Sequence, residues 1–349
     1  MTTHRRSQRY LVHLAVPAGL LLALAACGNT DALGPRAPVT SPAPSALPTA
    51  AAVAGDVWTS RAPMPTARGR LAAAVVNGVL FAVGGASASQ SALATVEAYT
   101  VGNNRWTTKA PMPAALSHLN AGVIGGVLYA AGGLDGSGQP TSTLYAYDAG
   151  SDAWTSKAPM PTPGACGASG VIGGRLYVFT TDCRESQLGA DPAFQRYDPT
   201  TDSWTALSLP TYGHFLPAAG VIGGKFYLVG GLFATSDPIG NIGQNVEAYD
   251  PATDRWVTRA KAPSVRYQTA AAVVNGELYV VGGGTGTEYA SLLDVYDPKA
   301  DSWRSLTSMP TARGFLAAAT LGGKMYAVGG LDLSGYLATN EAYTPKRQP

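Results

Sequence analysis

The sequence predicts an all-β fold built from six blades of four antiparallel strands each, and three observations carry that reading. Six tryptophans fall at positions 58, 106, 154, 204, 256 and 303, with successive gaps of 48, 48, 50, 52 and 47 residues. Paired glycines keep the same beat at Gly84-Gly85, Gly132-Gly133, Gly230-Gly231, Gly282-Gly283 and Gly329-Gly330, with Thr180-Thr181 in the third place. A tyrosine follows each pair, at 99, 147, 197, 249, 296 and 343. Four short strands in a repeat of about 50 residues are the arithmetic of a β-propeller blade.

The elements of one repeat follow in order. Val75-Val76 runs through Asn77-Gly78, a strong hairpin signal, into Val79 to Val83. Val274, Asn275-Gly276 and Leu278 to Val281 repeat the pattern, and Gly-Gly turns at 125–126, 173–174, 223–224 and 322–323 serve the other units. A variable loop follows each Gly-Gly, then a third strand such as Val246 to Tyr249. A turn such as Asp250-Pro251-Ala252-Thr253-Asp254 then delivers a tryptophan on the fourth strand. The last unit, 311–345, has no tryptophan after Tyr343, and Trp58 has no hairpin before it. One incomplete copy at each end makes one whole blade. The strand around Val57 to Ser60 is therefore expected to complete blade six, which removes a free sheet edge.

Gly-Gly, spaced Tyr, Trp and the Ala-Pro-Met-Pro connection at 62–65, 110–113 and 158–161 together resemble the kelch repeat. The resemblance covers 56–345 and implies a closed six-bladed propeller. It makes Trp58, Trp106, Trp154, Trp204, Trp256 and Trp303 packing residues of the blades, not a cofactor box.

The chain before the repeats reads as an address. Residues 1–27 carry Arg5, Arg6 and Arg9 ahead of an apolar run that ends in Leu24-Ala25-Ala26-Cys27-Gly28. A cationic start and a short apolar stretch make a secretory signal. The ending resembles the lipobox of bacterial lipoproteins, which implies lipidation at Cys27 and an exported protein held at the cell envelope. Residues 28–55 hold five prolines and eight alanines with no apolar periodicity, a flexible tether. Residues 346–349 form a short tail.

Of 349 residues, 46% are apolar and 13% charged, enough to bury a large core and exclude disorder. Three of the 24 basic residues lie in 1–27, leaving 21 against 22 acids. That balance, without a dense cationic run, argues against nucleic-acid binding. Cys166 and Cys183 flank the hairpin at Gly173-Gly174, which places them near each other at strand ends. In an exported chain a disulfide between them is expected, and two buried free thiols are the alternative. No Cys-x-x-Cys accompanies them to suggest a metal.

Function is expected on the face shared by the Met-Pro connections and the loops after Gly-Gly. Aligned on the hairpin turn, the ninth residue before it is Arg68, Leu116, Gly164, His214, Arg266 or Arg313, and the seventh is Arg70, His118, Cys166, Leu216, Gln268 or Phe315. Arg68, Arg70, Arg266 and Arg313, with His118, His214 and Tyr267, are the candidate mouth of the central channel. Guanidinium forks suit carboxylates, so an anionic ligand fits them; pairing with carboxylates or carbonyls of neighbouring blades is the alternative. Phe233, Tyr289 and Tyr336 lie on the same loops and suit sugar or peptide contact. Asp135-Gly136-Ser137-Gly138 lacks the carboxylates of a calcium loop and reads as a turn.

No Gly-x-Ser-x-Gly, His-Glu-x-x-His or P-loop occurs. Galactose oxidase is a kelch propeller, but its copper set has no match here. No cofactor and no metal are expected. The leading expectation is a lipid-anchored, monomeric envelope protein that binds a protein or a carbohydrate, including an anionic one. The competing enzyme reading is an isomerase or mutarotase on an acidic sugar such as sialic acid, with Glu185, Asp237 or Glu288 supplying a carboxylate beside an arginine.

Overall fold

Each blade begins at a turn that its own residues specify. Asn77 and Gly78 take left-handed φ values of 48° and 77°, and they bring Val76 opposite Val79 across the first hairpin. Asn tolerates this conformation and Gly favours it, and its twist matches that of the flanking strands. The first strand, Ala72–Val76, alternates buried and half-buried residues, and the second, Val79–Val83, is buried almost throughout. A sheet covered on both faces by neighbours has this pattern. The fourth strand, Arg105–Lys109, buries Trp106 and leaves most of its remaining residues in solvent.

The computed structural model describes residues 56–184, 191–231, 243–285 and 287–346. Among them, six four-stranded antiparallel sheets form, each with its strands in sequence order except the last. Their first strands, Ala72–Val76, Asn120–Ile124, Ala165–Ile172, Ala218–Ile222, Ala270–Val274 and Ala317–Leu321, contact one another in a ring around the central channel, the last against the first. Blade six takes three strands from the C-terminus and its outer strand, Val57–Ser60, from the N-terminus, with Trp58 opposite Tyr343. The expected closure is thus present. The signal segment 1–27 with Cys27, the tether 28–55, and Glu185, Phe233 and Asp237 lie outside the described residues.

The repeated aromatics lock one blade to the next. Every signature tryptophan packs on the tyrosine of its own blade, with ring centroids 4.9 to 5.3 Å apart. Its indole N–H donates to a carbonyl in the connection leaving the preceding blade, as Trp106 does to Ala62 at 2.8 Å and Trp58 to Thr307 at 2.9 Å. In blades one to five an Asn or Asp two residues before the tryptophan accepts the N–H of that connection, as Asp152 does from Ala110 at 3.0 Å, whereas Asp56 of blade six accepts from Lys346. The same Asp152 accepts the Tyr147 hydroxyl, so its carboxyl is held below the usual range, by that tyrosine first. The connections into blades one to five are therefore gripped at both backbone groups by the next blade.

Blade three departs from the others. Its first two strands run on to Ala165–Ile172 and Arg175–Thr181, with a bulge between Ala165 and Ala168. The extension carries Thr180-Thr181 in place of Gly-Gly and brings Cys166 and Cys183 together as a disulfide, with a Cα–Cα distance of 5.9 Å. The expected bridge is formed.

Candidate functional site

Seven residues before each hairpin turn, the chain takes a left-handed conformation in every blade. Arg70, His118, Cys166, Leu216, Gln268 and Phe315 have φ between 51° and 60°. That region costs a residue with a β-carbon roughly 1–2 kcal/mol. What holds them there is a belt of backbone hydrogen bonds from blade to blade. Arg70 N–H donates to Phe315 C=O at 2.8 Å, His118 to Arg70 at 2.7 Å, and Cys166 to His118 at 3.3 Å. Leu216 donates to Cys166 at 3.1 Å, Gln268 to Leu216 at 3.0 Å, and Phe315 to Gln268 at 2.9 Å, which closes the circle. The belt forms the neck of the channel on the loop face. With the residues that follow them, its members line a hollow of about 90 Å³.

The candidate cations divide into two groups. Arg68, Arg266 and Arg313, nine residues before the turn, are buried beneath the belt and paired inside their own blades. Arg68 is 0% exposed, with Nη1 2.8 Å from Glu97 and Nη2 donating to Ala82 C=O at 3.0 Å. Arg313 donates to Glu341 at 2.6 Å and to Ala327 C=O at 3.1 Å. Arg266 pairs with Asp294 and donates to Gly282 C=O at 2.9 Å. Burial pulls all three guanidinium pKa values down, and the partner carboxylates oppose it. His214, 2% exposed, fills the same place in blade four against Glu247. These four residues are thus paired, but with acids and carbonyls of their own blade rather than of a neighbouring one.

A signal for this lies in the repeats. Two residues before the signature tyrosine, blades one, four, five and six carry Glu97, Glu247, Asp294 and Glu341, where blades two and three carry Tyr145 and Gln195. The acid occurs in the blades whose ninth position is Arg or His, and is missing where it is Leu116 or Gly164. Reading the two positions together identifies the pairs.

Arg70 and His118 are different, because they belong to the belt and line the hollow. The Arg70 guanidinium carbon lies 4.9 Å from the Phe315 ring centroid, and the His118 ring meets the same phenyl edge-on at 5.6 Å. Among the described residues no carboxylate pairs with Arg70. Arg70 Nε and His118 Nδ1 are buried without a hydrogen-bond partner. Burial, and then the Arg70 charge, push the His118 pKa down to about 3, so its imidazole is neutral. The neck thus presents one unneutralised cation.

Beside it, blades five and six gather aromatic residues. Tyr267 and Gly284 bond reciprocally through their backbones at 3.2 and 2.8 Å, and Gly284 also pairs with Tyr289. Tyr289 lies over Gly314, where a β-carbon would stand 2.8 Å from its ring. Burial raises the Tyr289 pKa and the charge of Arg70 lowers it, with Tyr267 and Tyr336 also within electrostatic reach. Tyr267, Tyr289 and Tyr336 are all half-buried. The sequence placed them on separate loops; the fold brings them to one side of Arg70. Glu288 is exposed on the blade-five loop. Asp135 accepts from Ser137 and Gln139 and closes a turn.

Comparisons with known proteins agree with this architecture. The Attractin/LZTR1 β-propeller profile matches residues 52–293, and a kelch-motif profile matches 312–348. Among solved structures, one titled "Structure of YjhT" superposes with a TM-score of 0.67 and 17% identity, covering 82% of this chain and 97% of that one. At that identity the likeness shows the fold. No curated protein sequence matches. With six four-stranded blades, kelch signatures in each and a family profile over more than half its length, the chain belongs to the Attractin/LZTR1 β-propeller family.

Proposed function

We propose that this chain is an exported binding protein, held at a membrane through a lipid on Cys27, that takes an anionic group of a protein or carbohydrate ligand at the channel neck. One observation carries the ligand reading: Arg70 lies at the neck without an acid partner among the described residues, while the three deeper arginines are each neutralised. A guanidinium stacked on an aromatic face keeps its fork free for a carboxylate. The hollow, at about 90 Å³, has room for such a group. The rest of the ligand would then lie over Tyr267, Tyr289 and Tyr336, whose rings suit sugar or peptide contact.

The strand directions suit an anchored receptor. Val57 and Thr344 pair at the ends of their strands that lie with the hairpin turns, and the Lys346 N–H donates to Asp56 at 2.8 Å. The described chain therefore begins on the side of the ring opposite the neck. A tether of residues 28–55 would reach at most roughly 85 Å from a lipid on Cys27.

Two experiments test the two halves. Cys27→Ala is expected to move the protein from the membrane to the soluble fraction, and retention in the membrane fraction would remove the anchor. A screen of the purified protein against acidic and neutral glycans and peptides is expected to return acidic ligands that Arg70→Ala does not bind.

A further inference from the structure

Two loops on the ligand face share one sequence but for a single residue. Blade two runs Gly132-Gly133-Leu134-Asp135-Gly136-Ser137-Gly138, and blade six runs Gly329-Gly330-Leu331-Asp332-Leu333-Ser334-Gly335. The same contacts fold both into a turn. Asp135 accepts the Ser137 N–H at 2.9 Å and its hydroxyl at 2.7 Å, and Asp332 accepts the Ser334 N–H at 2.7 Å and its hydroxyl at 2.5 Å. The closing glycine, Gly138 or Gly335, takes a left-handed φ of 76° or 126°. The leucine before each aspartate pairs back to the entry of its own first strand, Leu134 with Ser117 and Leu331 with Gly314. The aspartate and the backbone build such a turn. The residue between Asp and Ser takes no part in it: a β-carbon on Gly136 would meet nothing within 4 Å.

Blade six carries a leucine at that free position. Leu333 is 83% exposed, and the next most exposed large apolar residue among those described is Val57 at 53%. Because the turn forms as well around glycine, the fold does not require this side chain, and water is a poor surrounding for it. Single exposed leucines are ordinary on protein surfaces. This one stands at the tip of a pinned hairpin, Leu331–Asp332 against Gly335–Tyr336, so covering it costs little ordering entropy. The hairpin also stands beside the neck. The Leu331 side chain lies against Gly69, where a β-carbon would not fit, and Arg70 is the next residue. Leu333 is two residues further along the hairpin, about 7 Å in extended chain. Tyr336 lies on the returning arm, and it and Asp332 are within electrostatic reach of Tyr289. A cation, aromatic rings and an aliphatic tip thus meet at the seam of blades one and six.

We propose that Leu333 is the anchor for a protein partner: an extended acidic segment whose carboxylate enters the neck at Arg70 and whose neighbouring apolar side chain covers Leu333 and Tyr336. The inference rests on the reading of Arg70 as the anion site and narrows its ligand to a polypeptide. Sugars stack on aromatic rings and carry hydroxyls around them. An isobutyl group has neither a ring face nor a polar atom, and gains most from a second apolar side chain. At about 3.3 Å per extended residue, the covering side chain falls about two to four residues from the acid.

An array of octapeptides, random except for Asp, Glu, Asn or Gln at the fourth position, tests this when probed with the full protein. Peptides bound by the wild type are expected to carry apolar residues about two to four places from the acid. Leu333→Gly, which gives blade six the turn of blade two, is expected to bind those peptides about tenfold more weakly and to bind acidic peptides without the apolar residue as the wild type does. Its melting temperature is expected to stay within about 2 °C of the parent. No apolar enrichment, or an enrichment that Leu333→Gly leaves intact, overturns the anchor. So does binding of oligogalacturonate in place of peptides, or a larger loss of melting temperature, which would assign Leu333 to the fold. Arg70→Ala on the same array keeps the two readings apart: it is expected to lose the preference for Asp and Glu over Asn and Gln. An apolar enrichment that answers to Leu333→Gly, with no effect of Arg70→Ala, removes the anion site and leaves the anchor standing.

Discussion

Arg70 and Phe315 meet twice across the seam between blades one and six: the Arg70 N–H donates to the Phe315 carbonyl at 2.8 Å, and the Arg70 guanidinium lies 4.9 Å from the centre of the Phe315 ring. The first contact closes the belt. The second aims a cation into the neck without a carboxylate beside it. One residue thus joins the closure of the ring to its ligand chemistry, which is why substitutions here must separate side chain from backbone. Arg70→Ala keeps the N–H and removes only the fork.

Ring closure by the N-terminal strand predicts a global effect from a residue 285 positions away in sequence from its partner. Trp58→Ala removes the stack on Tyr343 and the bond to Thr307, and is expected to cost about 3 kcal/mol in denaturant unfolding. Trp106→Ala should cost a similar amount. Deleting 56–62 should lower the melting temperature of the whole ring; a deletion variant that melts with the parent contradicts the closure.

The buried pairs predict a rescue that the protein itself specifies. Arg68→Leu leaves Glu97 charged and buried, and is expected to cost about 3–5 kcal/mol. Adding Glu97→Tyr reproduces Leu116 and Tyr145 of blade two, and should recover most of that loss in the same unfolding assay. A double variant no better than the single would contradict the pairing of these two positions across the repeats.

His118 predicts an acid limb in the stability of the ring. Its imidazole is neutral in the fold, with a pKa near 3, while in the unfolded chain it takes up a proton below about pH 6.5. The unfolded state then binds more protons, so stability falls as pH drops from about 6.5 toward 3. His118→Leu, which places at this belt position the residue type of Leu216, should flatten the limb in urea titrations at about pH 7 and pH 4.5.

Reducing the Cys166–Cys183 bridge opens a 17-residue separation. The expected cost is roughly 3 kcal/mol in the chain-entropy account, read as a lower melting temperature under a dithiol reductant. Cys166→Ser/Cys183→Ser should show the same loss and no further response to the reductant. Two free thiols in non-reducing mass spectrometry would contradict the bridge.

The fold was legible because its signals are local and repeated: Asn-Gly turns, Gly-Gly pairs and a Tyr–Trp couple recur at fixed spacing, and an incomplete copy at each end revealed the closure. The neck was legible only in part. The register singled out Arg70, His118, Cys166, Leu216, Gln268 and Phe315, but six different side chains share a left-handed backbone, so no residue type announced it. Arg68, Arg266, Arg313 and His214 looked equally like a mouth, because a strand position alone does not show which cation has an acid across its own sheet. That needed a second position two residues before each tyrosine. Tyr289 and Tyr336 come to Tyr267 through loops that carry no periodicity.

The most direct measurement is the affinity of wild type and Arg70→Ala for the same panel of acidic and neutral glycans and peptides, by titration calorimetry at low and at physiological salt. Acidic ligands are expected to bind the wild type, to weaken with salt, and to lose about tenfold or more in Arg70→Ala with the melting temperature unchanged. Acidic ligands bound equally by both proteins, or a preference for the neutral members of the panel, would contradict it.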